Sequence, residues 1–389
     1  MITLSKENVV DYVKSRLDFF NLDGDIKVSA IGEGTVEEDG DGFINFVYRV
    51  SDGVHHLIVK QSTLESRSKG SFTLDLNRYK FITEDVSYLR ISRFQLLKGV
   101  TYPKLADQIA RYMAATQFYT SEYYLDTKRF RDLSVHFMNT TMRKIMEVGM
   151  FLTSVTPEDT VGRPLDPEFV TFSKRICADP AVLLARQKLR HLFMSKGECL
   201  IHCDLHTSNI FASQTEAKVI DMEYAFFGPF AYDMGYFTAN FIAQYAAAAF
   251  RPFETEEARK EFKAYCLFMI RETYVKYCEY FTQYCKEDSK VEYHNIPGLA
   301  EDFCLTTLRE FIGFAASAML GRICDLIPYP DYDDIDDYVQ RHNAKCFSII
   351  LNREMLVKWE SYNSIDEFIQ DILTIEEIYR SEERRVGKE

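Results

Sequence analysis

A short polar segment at residues 202–209 interrupts a chain in which apolar residues otherwise recur mostly at helical spacing from about residue 103 onward. An apolar, strand-like run at 199–201 precedes this segment, and a second one follows it at 217–220. A polar loop held between short strands inside a helical region restricts the chain to a mixed α and β architecture.

The amino-terminal part of the chain has a different pattern, because Gly and Asp separate several short apolar runs there. Extended segments are predicted near residues 26–31, 43–51 and 54–61. We therefore predict an α+β, two-lobed protein with a small β-rich amino-terminal lobe at 1–86 and a large, mostly helical lobe at 87–379. The charged residues 380–389 lack an apolar face and are expected to form a solvated tail.

Composition excludes several classes of protein. A hydrophobic fraction of 47% is typical of a globular chain, and a net charge of −13 disfavours non-specific binding to nucleic acid. The first residues show no secretory signal, and no run approaches the roughly 20 apolar residues of a membrane span. We therefore expect a cytoplasmic protein with neither nucleic-acid nor membrane partners.

The nine cysteines are an odd and scattered set, which favours free thiols in a reducing compartment. Cys199, His202, Cys203 and His206 are all possible zinc ligands. They lie within eight residues of one strand and its turn, whereas zinc sites usually take ligand pairs from separated segments. We favour small buried cysteines over a zinc site.

Acidic and amide side chains in this region have the spacing of a phosphoryl-transfer site. Asp204 is the candidate base that positions a hydroxyl nucleophile and accepts its proton. Asn209, Asp221 and Glu223 offer the hard oxygen ligands that Mg²⁺ prefers; on an extended segment the last two carboxylates would point the same way. His202 is expected to fix the loop by hydrogen bonding. The competing interpretation is structural. Asp204 would cap the turn that follows it, and Asp221 and Glu223 would belong to a solvated acidic turn.

Lys60 ends the apolar run 57–59 and is predicted to project from a strand onto nucleotide phosphates. The preceding segment 40–45, which contains Gly42 and Asn45, would form a hairpin able to cover those phosphates. Lysines at strand ends and Gly-Asp-Gly turns are also common in purely structural settings.

Together these residues resemble the 5-methylthioribose kinase family, a branch of the protein-kinase-like fold related to aminoglycoside and choline kinases. The resemblance is most specific at 201–240, where Asp-Met-Glu at 221–223 replaces the Asp-Phe-Gly of protein kinases. It implies that ATP, with Mg²⁺, phosphorylates the 1-hydroxyl of the small sugar 5-methylthioribose in methionine salvage. It also suggests a homodimer.

The resemblance implies a role for each candidate residue. Asp204 would be the base, Asp221 and Glu223 would bind Mg²⁺, and Lys60 would belong to the nucleotide site. Glu84 and Asp85 would form the hinge that meets adenine. Asp233 would brace the catalytic loop, and Arg322 would contact the sugar.

The chain departs from the family pattern at several positions. Cys203 stands where the family usually has glycine, and Asn209 stands where it often has serine. Only Arg322 remains of an arginine pair near the sugar, and residues 327–328 do not match the family's Ala-His. In this chemistry a glutamate on a small-lobe helix normally orients the lysine of the nucleotide site. Lys80 stands near the place of that glutamate, and roughly forty residues that the resemblance implies in this region are absent.

Two other functions remain open from the sequence. A kinase of a cationic alcohol, such as choline or an aminoglycoside, could use the acidic stretch 331–337 to attract its substrate; that stretch could equally be a solvated helix start. The shortened small lobe would also suit a nucleotide- or sugar-binding protein without catalytic activity.

Overall fold

The computed structural model describes residues 4–15, 26–31, 45–62, 81–86, 88–152, 166–293, 296–324, 331–332 and 334–386. Within these residues the chain forms nine strands and twelve α-helices. The strands are β1 (Lys27–Ile31), β2 (Asn45–Ser51), β3 (His56–Ser62), β4 (Phe81–Glu84), β5 (Arg90–Ile91), β6 (Cys199–Ile201), β7 (Ile210–Ala212), β8 (Ala217–Val219) and β9 (Phe226–Gly228). The helices are α1 (Val9–Lys14), α2 (Ser92–Leu97), α3 (Leu105–Thr120), α4 (Thr127–His136), α5 (Thr140–Gly149), α6 (Pro167–Cys177), α7 (Pro180–Ser195), α8 (Ala231–Ala248), α9 (Glu256–Asp288), α10 (Leu299–Ile323), α11 (Tyr338–Lys358) and α12 (Ile365–Val386).

The small lobe is an antiparallel sheet with the strand order β1-β2-β3-β4. Side chains alternate between its two faces. Val50 and Val59 are buried and belong to one apolar cluster with Val13 of α1. Lys60 follows Val59 in β3, so its side chain leaves the face opposite to α1.

The core of the large lobe surrounds α8, which is buried on all sides and packs against α9 and α10. Gly235 permits its close approach to α10: a Cβ there would lie 2.7 Å from Phe314 Cβ and 2.8 Å from the Phe311 carbonyl oxygen. Two residues earlier, in the first turn of α8, is Asp233. The packing of α8 therefore fixes the position of this carboxylate.

Two small antiparallel sheets bring the polar loops together. Strand β6 pairs with β9, and β7 pairs with β5 and β8. The loop 202–209 leads from β6 towards β7, and the segment 220–225 leads from β8 back to β9. Because β9 returns to β6, both loops lie at the same end of these sheets.

The last described helix is longer than the sequence indicated. We expected a solvated tail from residue 380 onward, but α12 continues to Val386. Arg380 donates a hydrogen bond to the Ala249 carbonyl oxygen, and its guanidinium lies 5.1 Å from the centre of the Phe250 ring. The first residues assigned to a solvated tail therefore continue this helix.

Among the described residues, one helix, α10, has the length and apolar composition that crossing a membrane would require. In the fold, 72% of its most apolar stretch is buried. Such burial is typical of a helix in a protein core.

Candidate active site

The loop at 202–209 is anchored by a buried carboxylate of α8. Asp233 Oδ2 accepts a hydrogen bond from the His202 backbone N–H at 2.7 Å, and Oδ1 accepts one from Cys203 N–H at 2.8 Å. Burial raises the pKa of Asp233, although the neighbouring His202 and the two N–H donors oppose the shift. The contacts are those of a brace for the start of the loop.

Cys203 has a left-handed backbone, with φ of +67°. Side chains with a Cβ rarely adopt this conformation, whereas glycine does so readily. This explains physically why glycine is usual here in the family that the sequence resembles. The Cys203 side chain is fully buried, so its packing offsets part of the backbone strain.

His202 links the two polar loops. Its Nε2 lies 2.8 Å from the Ile220 carbonyl oxygen, and its Nδ1 lies 3.2 Å from the Asp204 backbone N–H. These partners assign the proton to Nε2 as donor and leave Nδ1 as acceptor. A second link runs from the Ile220 N–H to the Asn209 carbonyl oxygen at 3.0 Å. The loops therefore hold each other in register.

Asp204 lies in a ring of polar groups. The Asn209 side-chain amide donates to its backbone oxygen at 2.9 Å and to Oδ2 at 3.3 Å, and His206 Nε2 lies 3.4 Å from the same Oδ2. Burial tends to raise the pKa of Asp204, but the charge and hydrogen bond of His206, with further help from His202 and Tyr236, outweigh it and hold the pKa well below its usual range. The carboxyl group is therefore ionised at neutral pH.

The second polar loop has a different backbone from the one we expected. Asp221 is left-handed, with φ of 67°, and Met222–Tyr224 forms a 3₁₀ turn. The prediction of an extended segment at Asp221 and Glu223 is therefore wrong. Asn139 donates its side-chain amide to the carbonyl oxygen of Glu223 at 2.9 Å and so fixes the turn from α5.

The lysine of the small lobe reaches this second loop. Lys60 Nζ donates a hydrogen bond to Asp221 Oδ1 and lies 3.9 Å from Glu223 Oε2. The two carboxylates therefore face one cationic group, as we predicted. The reason is a 3₁₀ turn and not the alternation of side chains along an extended strand.

Other small-lobe candidates are only partly described. Asp85 is buried, and its Oδ2 lies 2.8 Å from Arg49 Nε. The backbones of Asn45 and Glu84 lie in β2 and β4, while their side chains are outside the described part of the chain. Gly42, and the residues 63–80 that cover Lys80 and the expected helix, also lie outside the described residues.

Arg322, in the last turn of α10, lies close to the loop 202–209. Its Nη1 donates to Asn240 Oδ1 at 2.9 Å, and its guanidinium lies 4.8 Å from the centre of the Tyr236 ring. Tyr236 hydrogen-bonds with both Arg322 and Asp204, and burial raises the pKa of its hydroxyl. Arg322 is therefore coupled to Asp204 through one tyrosine.

Sequence reasoning missed Tyr236 and Asn240. Both lie on α8, and Gln244 one turn further on donates a hydrogen bond to buried Asp331. The three side chains recur every fourth residue on one stripe of an otherwise apolar helix. That spacing was a detectable signal of a buried polar surface.

Three described residues of the acidic stretch 331–337 make structural contacts. Asp331 is buried, Asp334 pairs with Arg251 at 2.6 Å, and Asp337 caps α11 by accepting from the Gln340 N–H at 2.9 Å. Asp331 is therefore neither a solvated residue nor an accessible site for a cationic substrate.

The sulfur atoms of the possible zinc cluster are in the core. Cys199 and Cys203 are fully buried, and burial raises the pKa of both thiols well above the usual range. In the part of the chain that the structure describes, one group of three or more potential ligands converges, and it is formed elsewhere by Asp166, Glu168 and His342. The contacts agree with the interpretation of small buried cysteines.

A two-lobed fold with a lysine of the small lobe opposite two acidic loops of the helical lobe defines a kinase. A model of the phosphotransferase enzyme family (APH) matches residues 160–274. The chain is 30% identical to a methylthioribose kinase of Geobacillus sp. (strain WCH70), with 90% of this chain and 94% of the relative covered. It is 29% identical to a methylthioribose kinase of Bacillus cereus, with 84% and 88% covered. This chain belongs to the methylthioribose kinase family.

Among solved structures, the chain is similar to a choline kinase from Cryptosporidium parvum, with 12% identity, a TM-score of 0.45, and 91% and 97% of the two chains covered. It is also similar to a choline/ethanolamine kinase family protein from Mesorhizobium loti, with 11% identity, a TM-score of 0.42, and 92% and 100% covered.

Proposed function

We propose that the protein transfers the γ-phosphoryl group of ATP to the 1-hydroxyl of 5-methylthioribose. The observation that carries the proposal is the meeting of Asp204, Asn209 and Asp221 on two cross-linked loops opposite Lys60. Relatives over most of the chain are named methylthioribose kinases, and this supports the choice of sugar.

In this proposal the small lobe binds the nucleotide. Lys60 contacts the phosphates as a point charge on a flexible stem. The segment containing Gly42 and Asn45 covers the phosphates, and Glu84 with Asp85 forms the hinge that meets adenine. The pairing of Asp85 with Arg49 would fix that hinge to β2, two strands away in the sheet.

Asp221, Glu223 and Asn209 would hold Mg²⁺. Two carboxylates that face one ammonium group support a cation site at this position, and carboxylate and amide oxygens are suitable donors. When bound, the ion would neutralise charge on the phosphoryl group in transfer.

The large lobe would orient the acceptor. Asp204 accepts a hydrogen bond from the sugar hydroxyl and takes its proton as the new bond to phosphorus forms. A pKa below the usual range suits this role, because the proton is transferred late. Arg322 would donate hydrogen bonds to sugar hydroxyls, with Tyr236 holding its guanidinium relative to Asp204.

A substrate panel tests the proposal. Purified protein is incubated with Mg·ATP and 5-methylthioribose, choline or kanamycin, and ADP formation and the phosphorylated product are measured, the latter by ³¹P NMR. Turnover with the sugar, giving a 1-phosphate, is the expected result. Turnover with choline or kanamycin alone would establish the other kinase class, and ATP binding without any turnover would establish a non-catalytic binding protein.

The homodimer, the cytoplasmic location and the place in methionine salvage stay predictions. Light scattering on the purified protein tests the first, since a dimer has twice the chain mass of 45.3 kDa.

A further inference from the structure

The contact between Lys60 and the second loop has a consequence for metal binding, which rests on the proposed function. Lys60 Nζ contacts Asp221 Oδ1 and lies 3.9 Å from Glu223 Oε2. The side chain of Lys60 is only 18% exposed, that of Asp221 27% and that of Glu223 6%. The ammonium therefore lies at the position where these carboxylates favour a cation.

Shielding from water makes this arrangement energetically important. Two neighbouring carboxylates repel each other, and the repulsion grows as the local dielectric constant falls. A partly buried ion pair is screened much less by salt than an exposed one. Lys60 thus neutralises part of the charge that would otherwise attract a divalent ion.

We propose that Lys60 acts as an internal counter-ion, so that a divalent cation and a nucleotide bind with positive coupling. In the nucleotide-free protein, Mg²⁺ or Mn²⁺ must compete with the ammonium group for Asp221 and Glu223. Nucleotide phosphates offer Lys60 another anionic partner, and its four-carbon stem allows the ammonium to move to them. The carboxylates then become available to the metal.

Coupling of this kind is reciprocal, because each ligand changes the affinity for the other by the same factor. Replacing Lys60 by methionine keeps a long, unbranched side chain and removes the positive charge. Mn²⁺ alone should then bind about 10- to 100-fold more tightly, within the range typical of coupled sites. The enhancement of Mn²⁺ binding by ADP should shrink in the same variant.

The test is a titration of nucleotide-free protein with Mn²⁺, followed through the electron paramagnetic resonance signal of the free ion. Wild type, Lys60→Met and Lys60→Arg are compared, with Lys128→Met as the matched control because Lys128 pairs with Asp132 on an exposed surface. Tighter binding in Lys60→Met alone supports the proposal. Lys60→Gln repeats the comparison should the methionine variant fail to fold.

Asp221→Asn separates the two ways in which the idea can fail. If Mn²⁺ binding depends on Asp221 but is equal in wild type and Lys60→Met, the counter-ion role is wrong and the metal site stands. If Asp221→Asn changes nothing in either background, with or without ADP, the proposed metal site fails and the counter-ion role fails with it.

Discussion

Replacing Asp233 should destabilise the protein and disturb catalysis at the same time. This carboxylate is 2% exposed and accepts the backbone N–H groups of His202 and Cys203 at 2.7 and 2.8 Å. In Asp233→Ala both buried donors lose their partner, and each unsatisfied group costs about 1–3 kcal/mol. The free energy of unfolding should therefore fall by about 2–6 kcal/mol. Asp233→Asn keeps one acceptor and should lose about half as much.

The loop that loses its anchor leads directly into Asp204. A displacement of about 1 Å in a catalytic group can reduce the rate about 100-fold. We therefore expect kcat to fall by about this factor in Asp233→Ala, with a smaller effect on the affinity for ATP.

Urea unfolding and steady-state kinetics measure both effects. Asp126 is the matched control: it also accepts a backbone N–H, that of Arg129 at 3.0 Å, but it caps α4 on the surface. Asp126→Ala should lose about 1 kcal/mol and keep its kcat. The reasoning is refuted if Asp233→Ala unfolds no more easily than Asp126→Ala, or retains the wild-type kcat.

Three further perturbations test other parts of the structure. Tyr236→Phe removes hydrogen bonds to Asp204 and Arg322, so kcat/KM should fall about 10-fold with a stability loss of about 1–2 kcal/mol; unchanged kinetics would exclude the coupling. Gly235→Ala places a Cβ against the backbone of α10 and should lower the unfolding free energy by about 1–3 kcal/mol, measured by urea unfolding. Burial raises the pKa of Asp331 from 3.8 to about 6, so the folded state binds more protons than the unfolded state between these values. The contribution of Asp331 to stability should therefore fall as pH rises from 3.8 to about 6, so wild type should lose stability relative to Asp331→Asn over this range in thermal unfolding curves; an equal pH dependence in both proteins would contradict the assignment.

The local part of the site could be predicted from the sequence because its residues lie on one short stretch. The spacing of Asp204, Asn209, Asp221 and Glu223 indicated two loops beside short strands, and the strands β6 to β9 do place these loops together. The backbone at Met222–Tyr224 could not be predicted, because two carboxylates separated by one residue fit an extended strand and a 3₁₀ turn equally well.

Residues brought in by tertiary packing were harder to identify. Tyr236 and Asn240 belong to a helix so apolar that its polar positions looked like interruptions. Their contacts with Arg322, and that of Tyr236 with Asp204, show their place in the site. The end of α12 was missed because residues 380–386 are mostly charged, while Arg380 is held by a tertiary contact with Ala249.

The most direct test of the central claim is single-turnover transfer of the γ-phosphoryl group from ATP to 5-methylthioribose by wild type and Asp204→Asn. A general base contributes about 100- to 10,000-fold to such a step, so the rate should fall by that factor while the dissociation constant for ATP stays nearly the same. Asp132→Asn, at an exposed carboxylate, serves as the control and should react like wild type. Equal transfer rates for wild type and Asp204→Asn would contradict the account.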